Sequence, residues 1–312
     1  MCRSVDHEIL LHRLRSTFSI KGNAYAWLQS YLTDRSQSVQ IDGTISSVHP
    51  LRSGVPQGSA VLGRLLYLLY TAPLGDLIRW HDMKFHLYAD DTQLHTTFSC
   101  DDDADLTTAV SRIESCLADI TDWMTTANKL KLNTDKTELL IFHSKFRLPP
   151  QLPSITVGTD LIKPKNKARN IGVVFDDTLA MSCHIKNIVK GAFYHLRNIA
   201  KTRKYINTAT AEVLVHSFVS SKLDFCNSLL YDLPKYEINK LQSVLNAAAR
   251  VIDHVTNTLK ELHWLPVEQR IIFKINLVWF KVLNNLAPSY LTELLRVYEP
   301  ARRSGLLLNP TT

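Results

Sequence analysis

The stretch FHLYADDTQLHTTF, residues 85–98, joins two runs of alternating apolar and polar residues through a pair of acids. Phe85, Leu87 and Ala89 alternate with His86, Tyr88 and Asp90, and Leu94, Thr96 and Phe98 alternate with Gln93, His95 and Thr97. Period-two alternation on both sides of a short polar break predicts two antiparallel strands. Asp90 and Asp91 then fall at the connection, where aspartate is a common turn residue. Two carboxylates ~4 Å apart repel by about 4 kcal/mol at an effective dielectric of about 20. Exposure to water relieves most of that. A divalent cation relieves more, because Mg²⁺ takes one or two protein carboxylates and leaves coordination sites for phosphate oxygens. The pair by itself reads first as a plain turn that has no chemical role.

The elements around this pair must be read from the rest of the chain. Its 312 residues are 45% hydrophobic, enough for a sizeable core and for two domains. Five cysteines, Cys2, Cys100, Cys116, Cys183 and Cys226, are scattered, with no CxxC and no zinc spacing. Reduced thiols in an intracellular protein, nuclear or cytoplasmic and not secreted, are the expectation. The start, MCRSVDHEILLHRL, lacks the long apolar stretch of a signal peptide. The longest apolar run, VLGRLLYLLYTAPL, holds Arg64 and Pro73 and is too short to span a bilayer, so no membrane is expected as a partner. Net charge is +7, unevenly spread. Residues 82–138 carry 12 Asp/Glu against 5 Lys/Arg, whereas residues 145–204 carry 12 Lys/Arg against 3 Asp. Such asymmetry points to metal for the first stretch and polyanion for the second.

Residues 6–16 and 21–32 read as short helices, and 36–43 as a strand ending in a turn. LRSGVPQGSAVLG (51–63) is a Gly/Pro-rich loop leading into one apolar helix, RLLYLLYTAPLGDLI. After the hairpin, Leu106, Val110, Ile113, Leu117, Ile120 and Met124 keep helical spacing, and the acids ahead of them suit a helix N-terminus. TELLIF (137–142) reads as a strand. FRLPPQLPS (146–154) is the best linker, since its prolines break both helix and ladder. SITVG and ARNIGVVFD read as strands. Helices follow over 184–204, 208–221, 236–255 and 267–286. The third carries the stripe Ile238, Leu241, Leu245, Ala248, Ile252 and Val255, and the fourth Val267, Ile271, Ile275, Val278, Val282 and Leu286. The expected architecture is α+β over 1–180 and all-helical over 181–312.

SGVPQGS, then YADD about thirty residues on, then NKLKLNTDKTELLIF, then RNIGVVFD, resemble successive motifs of the reverse transcriptases of non-LTR (LINE-type) retrotransposons. DHEILLHRL and WLQSYLTDRSQSVQIDG resemble the stretch ahead of GVPQGS in that family. SKLDFCNSLLYDLP and LHWLPVEQRIIFKI resemble the region after its polymerase core. The resemblance implies a right-hand polymerase palm, an antiparallel sheet with helices, followed by a helical thumb-like region. It implies RNA-templated DNA synthesis by two-metal phosphoryl transfer, with Mg²⁺ as cofactor and an RNA template and DNA primer as partners. Asp90 and Asp91 match the metal-ligating pair of the palm hairpin, and Tyr88 the residue beside the primer terminus. Gln57 and Gly58 match the loop against template and incoming nucleotide. Gly54 and Gly58 suit a backbone that must approach a ligand closely. Lys136 matches the cation near the departing pyrophosphate. Asn170, Ile171 and Gly172 resemble the primer-grip hairpin.

Departures from the family pattern bear on activity. The family supplies a further carboxylate from D-x-x-x-A-F-D, just ahead of the segment that SVDHEILLHRL resembles. Residues 1–5, MCRSV, hold no counterpart. Asp6 aligns downstream of that site and takes no catalytic role. The expectation is therefore a chain without its first catalytic aspartate, the fingers and the upstream endonuclease, and catalytically deficient by itself. Ala60 resembles a one-residue insertion, and Arg64 stands where the family has proline. An insertion there turns the following helix by about 100° relative to the loop.

Lys186, Lys190, Arg197, Lys201 and Lys204 fall on one strip of helix 184–204, beside the apolar Ile185, Ile188, Val189, Ala192, Leu196 and Ile199. That helix holds no Asp or Glu, which suits a phosphate backbone; a solvated face is the plain alternative. His184, His216, His254 and His263 lack ligand spacing, and Trp264 and Trp279 read as core. Three functional readings stay open: a non-catalytic remnant of the enzyme, a nucleic-acid-binding module using the basic helix, and a polymerase whose missing aspartate comes from another chain or from an upstream exon.

Overall fold

The computed structural model describes residues 5–55, 62–99, 101–147, 150, 152, 154–252, 262 and 264–293. The chain divides into two compact units, Met1–Lys165 and Asn166–Thr312. That division falls ahead of the expected 180/181, because the hairpin at 167–176 packs with the helices that follow it.

Unit 1 begins with α1 (His7–Ser16), capped by Asp6, whose carboxylate accepts from the amides of Glu8 and Ile9 at 3.0 and 3.1 Å. α1 and α2 (Gly22–Leu32) bury Leu10, Leu14, Leu28 and Leu32 with Val5, Val55, Leu66 and Tyr70. The strand expected over 36–43 is instead a ribbon of two nested hairpins. β1 (Ser36–Gln37) pairs with β4 (His49–Pro50), and β2 (Gln40–Ile41) with β3 (Thr44–Ile45). Asp42 and Gly43 both adopt positive φ, as a tight two-residue hairpin turn requires.

The apolar run after the GVPQGS loop is two helices rather than the expected one, α3 (Leu62–Thr71) and α4 (Pro73–Trp80). Pro73 has no amide to continue α3 but is well placed in the first turn of α4. β5 (Lys84–Tyr88) and β6 (Asp91–His95) form the expected antiparallel hairpin. α5 (Asp103–Asp122), capped by Asp102, runs into a π-helical turn at Trp123–Ala127. Its deepest residues are Ala109, Cys116 and Ile120, a face slightly rotated from the expected stripe. Cys116 and Ile120 join Leu74, Ile78 and Met83 in a second cluster, against which Phe85, Leu94 and Ile113 pack. Of the expected strand 137–142 only β7 (Leu139–Leu140) forms, later paired in parallel with β10 (Pro164–Lys165). Between them β8 (Ile155–Val157) pairs with β9 (Asp160–Ile162). The proline-rich segment 146–154 lies partly outside the described residues.

A polar knot ties these helices together. Arg13 donates to the backbone carbonyl of Tyr70 and to Oδ1 of Asn128. The Tyr70 hydroxyl donates to the Asn128 carbonyl at 2.7 Å, and Asn128 Nδ2 donates to the Trp123 carbonyl at 2.5 Å. Asn128 is fully buried, and the Arg13 guanidinium lies over the rings of Tyr70 and Trp123. Beside the knot Lys129 pairs with Asp6 at 2.6 Å. Burial pushes the Asp6 carboxyl up, but Lys129 and the amides of Ile9 and Glu8 outweigh it and hold it below the usual carboxylate range.

In unit 2, β11 (Lys167–Asn170) and β12 (Val173–Asp176) form a hairpin whose tip, Ile171–Gly172, has positive φ at both residues. The helices are α6 (Ser182–Thr202), α7 (Thr208–Val215), a π-helical turn at His216–Ser220, α8 (Ser221–Asp224), α9 (Lys235–Ile252) and α10 (Val267–Leu283). Val173, Ile185, Leu196, Val219, Leu241, Leu245, Ile252 and Trp264 belong to one core. The expected stripe of α6 is buried, with Val189 half-buried, and so is that of α9, except that Ile238 is half-buried and Val255 lies outside the described residues. In α10 the stripe holds at Val267, Ile271 and Val282, while Val278 is exposed, as is Leu286 just beyond the helix. Trp279, expected in the core, is 53% exposed, and its neighbours Val278 and Phe280 are exposed too, because this turn of α10 does not reach the core. The fold class is α+β, and every sheet among the described residues has two strands.

His184 is buried at the start of α6, and its Nδ1 accepts from the Val174 amide at 3.4 Å. Burial and the nearby Arg169 hold its pKa below the ordinary histidine value.

Two predictions follow from these contacts. Asn128→Leu removes the Arg13 guanidinium's bond to Oδ1 and the side-chain donor to the Trp123 carbonyl, two hydrogen bonds at a buried site and a cost of roughly 2–4 kcal/mol. Native-state hydrogen exchange across α5 should show opening easier by that amount, whereas Thr126→Ala, at an exposed position, should be nearly neutral. Unchanged protection would make the knot dispensable. The second concerns pH. The folded pKa of His184 is depressed, so the unfolded chain takes up its proton first. Stability of unit 2 is then fully present above the unfolded value of about 6.5 and declines as pH falls below it. His195 acts with the same sign. The measure is therefore the difference between parent and His184→Gln, whose melting temperature should depend less steeply on acid; equal slopes would contradict the assignment.

Candidate active site and nucleic-acid surface

The hairpin register sets where each candidate side chain stands. Lys84 faces His95, Phe85 faces Leu94, His86 faces Gln93, Leu87 faces Thr92 and Tyr88 faces Asp91. Alternation therefore gives an inner face of Phe85, Leu87, Thr92 and Leu94. The outer face holds Lys84, His86, Tyr88, Asp91, Gln93 and His95. Phe85 seats against α4 at Gly75, where a Cβ would come within 3.3 Å of the Phe85 ring. The inner face is thus pinned to the second core cluster, and the tip stands free of it.

The sequence placed both acids at the connection. The link is instead Ala89–Asp90, and Asp91 is the first residue of β6, opposite Tyr88. Ala89 has a φ of 54°, a conformation costly for a residue with a Cβ. Asp90 and Asp91 are exposed, and Tyr88 is 60% exposed. No ion pair among the described residues engages either carboxylate. On the same outer face the rings of His86 and His95 stack at 5.3 Å. Burial, His86 and Lys84 hold the pKa of His95 below the ordinary histidine value.

Two exposed oxygen donors without a protein cation suit a hard divalent ion. Among the described residues, however, no group of three His, Cys, Asp or Glu side chains stands together to hold a metal. Lys136 ends a short 3₁₀ turn, Thr134–Lys136, and is exposed. No ion pair among the described residues joins it to Asp90 or Asp91. Gln57 and Gly58 lie outside the described residues, as do Ala60 and Val61.

The arm that leads into their loop is well defined. The Gly54 amide donates to the Val5 carbonyl at 2.7 Å. His7 Nε2 donates to the Gly54 carbonyl at 2.7 Å, and Asp6 bridges to Ser53. Gly54 has a φ of 92°, which a side chain would oppose. The start of α1 thus anchors the entry to the GVPQGS loop. Sequence reading took His7 only as part of helix 6–16; a histidine in the first turn of an amphipathic helix carries no sign of a partner 47 residues away.

In unit 2 the Ile171–Gly172 tip lies against Phe225: a Cβ on Gly172 would come within 3.2 Å of that ring. Lys186, Lys190, Arg197, Lys201 and Lys204 are all exposed, and none forms an ion pair among the described residues. Lys204 lies over the Tyr205 ring at 4.8 Å. Of the four histidines, His184 is buried in hydrogen-bond contact with Val174, and His216 lies beside Glu212 and Trp264. His254 and His263 are outside the described residues. No helix among the described residues is long and apolar enough to cross a membrane.

Residues 3–175 match the family model described as reverse transcriptase (RNA-dependent DNA polymerase). The chain is 28% identical over 256 residues to the probable RNA-directed DNA polymerase from transposon BS of Drosophila melanogaster, covering 80% of this chain and 27% of that protein. It is 27% identical over 241 residues to the corresponding protein from transposon X-element of the same species, covering 73% and 25%. With the RNA-directed DNA polymerase from its mobile element jockey it shares 28% over 190 residues, covering 59% and 19%. The alignments thus span 19% to 27% of these relatives' length. The match to the family model takes in the GVPQGS loop, the YADD hairpin, Lys136 and the Ile171–Gly172 tip. The chain belongs to the reverse transcriptase family, with its similarities among the RNA-directed DNA polymerases of non-LTR, LINE-type elements.

Proposed function

We propose that this chain forms part of the palm and the thumb-like region of an intracellular RNA-directed DNA polymerase. Its reaction would join a deoxynucleotide to a primer 3′-hydroxyl. The observation that carries the reading is the Asp90–Asp91 pair, exposed at a pinned hairpin tip without a counter-ion among the described residues, inside the segment that matches the family. Asp90 and Asp91 would hold Mg²⁺, which when bound activates the attacking hydroxyl and neutralises the triphosphate. Tyr88, on the outer face with Asp91, would support the primer end. Gln57 and Gly58 would line the template and nucleotide side. Lys136 would meet the departing pyrophosphate, the Gly172 tip would grip the primer strand, and the α6 cations would follow the phosphate backbone.

Two carboxylates leave most of the coordination sphere to water and substrate. A catalytic set that acts as a unit loses orders of magnitude when one member is absent. With no third ligand among the described residues, this chain by itself is expected to be a poor catalyst. A second reading, nucleic-acid binding without chemistry, is favoured by the four exposed cations of α6 and Lys204 just beyond it, which form no ion pair among the described residues.

Primer extension on an RNA template with a DNA primer, Mg²⁺ or Mn²⁺ and all four deoxynucleotides tests the expected deficiency and the role of the pair, with Asp90→Asn as control. The expected result is extension no higher than the control from a demonstrably folded sample. Robust extension abolished by Asp90→Asn would show a complete site and overturn the expected deficiency. Robust extension that survives Asp90→Asn would overturn the role given to the pair.

A further inference from the structure

The outward surface of α6 does not end with its basic strip. At ~100° per residue, Tyr194 stands about 20° beyond Lys201, and His195 about 100° further on. His195 stacks on Phe218 of the His216–Ser220 turn, with ring centroids 5.2 Å apart and planes 17° apart. Tyr194 meets the His195 ring edge-on at 5.4 Å. Tyr194 stays 57% exposed, and Phe218 stays 44% exposed although His195 covers one of its faces. Lys222, on α8, donates to His195 Nε2 at 3.1 Å. This exposed aromatic surface is therefore bounded by the basic strip on one side and by Lys222 on the other. No acid occurs between Ser182 and Lys204.

We propose that Tyr194, His195 and Phe218, flanked by the α6 cations and Lys222, form a stacking platform for the unpaired bases of a single-stranded polynucleotide. Cations satisfy phosphate wherever it runs, but exposed rings gain only from bases whose faces are free. A duplex hides those faces in its own stack. Every base has a π-face in either nucleic acid, so the platform takes RNA and DNA strands alike. The proposal concerns unit 2 alone and rests on none of the roles assigned to Asp90, Asp91 or Lys136; absence of primer extension leaves it standing.

The test is fluorescence anisotropy on the full 312-residue chain. The probes are a labelled RNA strand, the DNA strand of the same sequence and the blunt DNA duplex. Both single strands should bind alike and about tenfold tighter than the duplex. Tyr194→Leu and Phe218→Leu keep apolar bulk at exposed positions, and each should weaken single-strand binding on the order of tenfold without changing its salt dependence. Lys190→Gln and Arg197→Gln should instead each flatten the salt slope by about 0.7. Duplex binding equal to that of the single strands would overturn the platform. So would competition by poly-glutamate as effective as by an unlabelled strand. So would both leucine variants binding within about twofold of the parent at unchanged melting temperature, since stacking should give a larger loss.

Discussion

Unit 1 depends on what Asn128 does with three of its polar groups. Its side-chain oxygen takes a bond from Arg13 on α1, its amide nitrogen closes the end of α5, and its carbonyl accepts the Tyr70 hydroxyl from α3. Fully buried, it has no water to fall back on, so these three elements share one geometry or lose it together. The position of α5 is inherited by the second core cluster, where Cys116 and Ile120 meet α4. That cluster in turn seats Phe85 and Leu94, the inner face of the YADD hairpin. The hydrogen-bond knot thereby helps hold the two carboxylates in place.

The same hairpin shows how packing and chemistry share a strand. The inner alternation is spent on the core through Phe85 against Gly75, which leaves the outer alternation free for polar groups. A two-stranded ribbon by itself is marginal in water, so the helix beneath it is what makes the tip a fixed place. The link through Ala89 then sends Asp90 into the turn and Asp91 to the opposite strand. Repulsion between the two is tolerated because both reach solvent, and it is the reason a cation would be welcome there.

Much of this was legible in the sequence. The hairpin followed from alternation, and α6 and α9 from apolar spacing, because those patterns report burial directly. The break between α3 and α4 was hidden by apolar residues that continue across Pro73. Trp279 misled because hydrophobic character does not say whether a helix still touches the core at that turn. The hydrogen bonds that matter most were invisible for a different reason. Arg13 and Asn128 are 115 residues apart, and Asp6 and Lys129 are 123 apart; no local period records such a pairing. The aromatic platform escaped for the same reason, since Phe218 reaches His195 from a different helical segment.

The central claim is that the hairpin tip is a place for a divalent cation. It is tested most directly by titrating Mn²⁺ into the chain and into its Asp90→Asn/Asp91→Asn form, with free Mn²⁺ followed by electron paramagnetic resonance. Both acids are exposed and outside every core cluster, so the variant should fold as the parent does. The acid-rich stretch Asp101–Asp105 contributes equally to both titrations. The account predicts a weak class of Mn²⁺ sites in the parent that the variant lacks. Identical titrations would mean that the pair is a turn and nothing more.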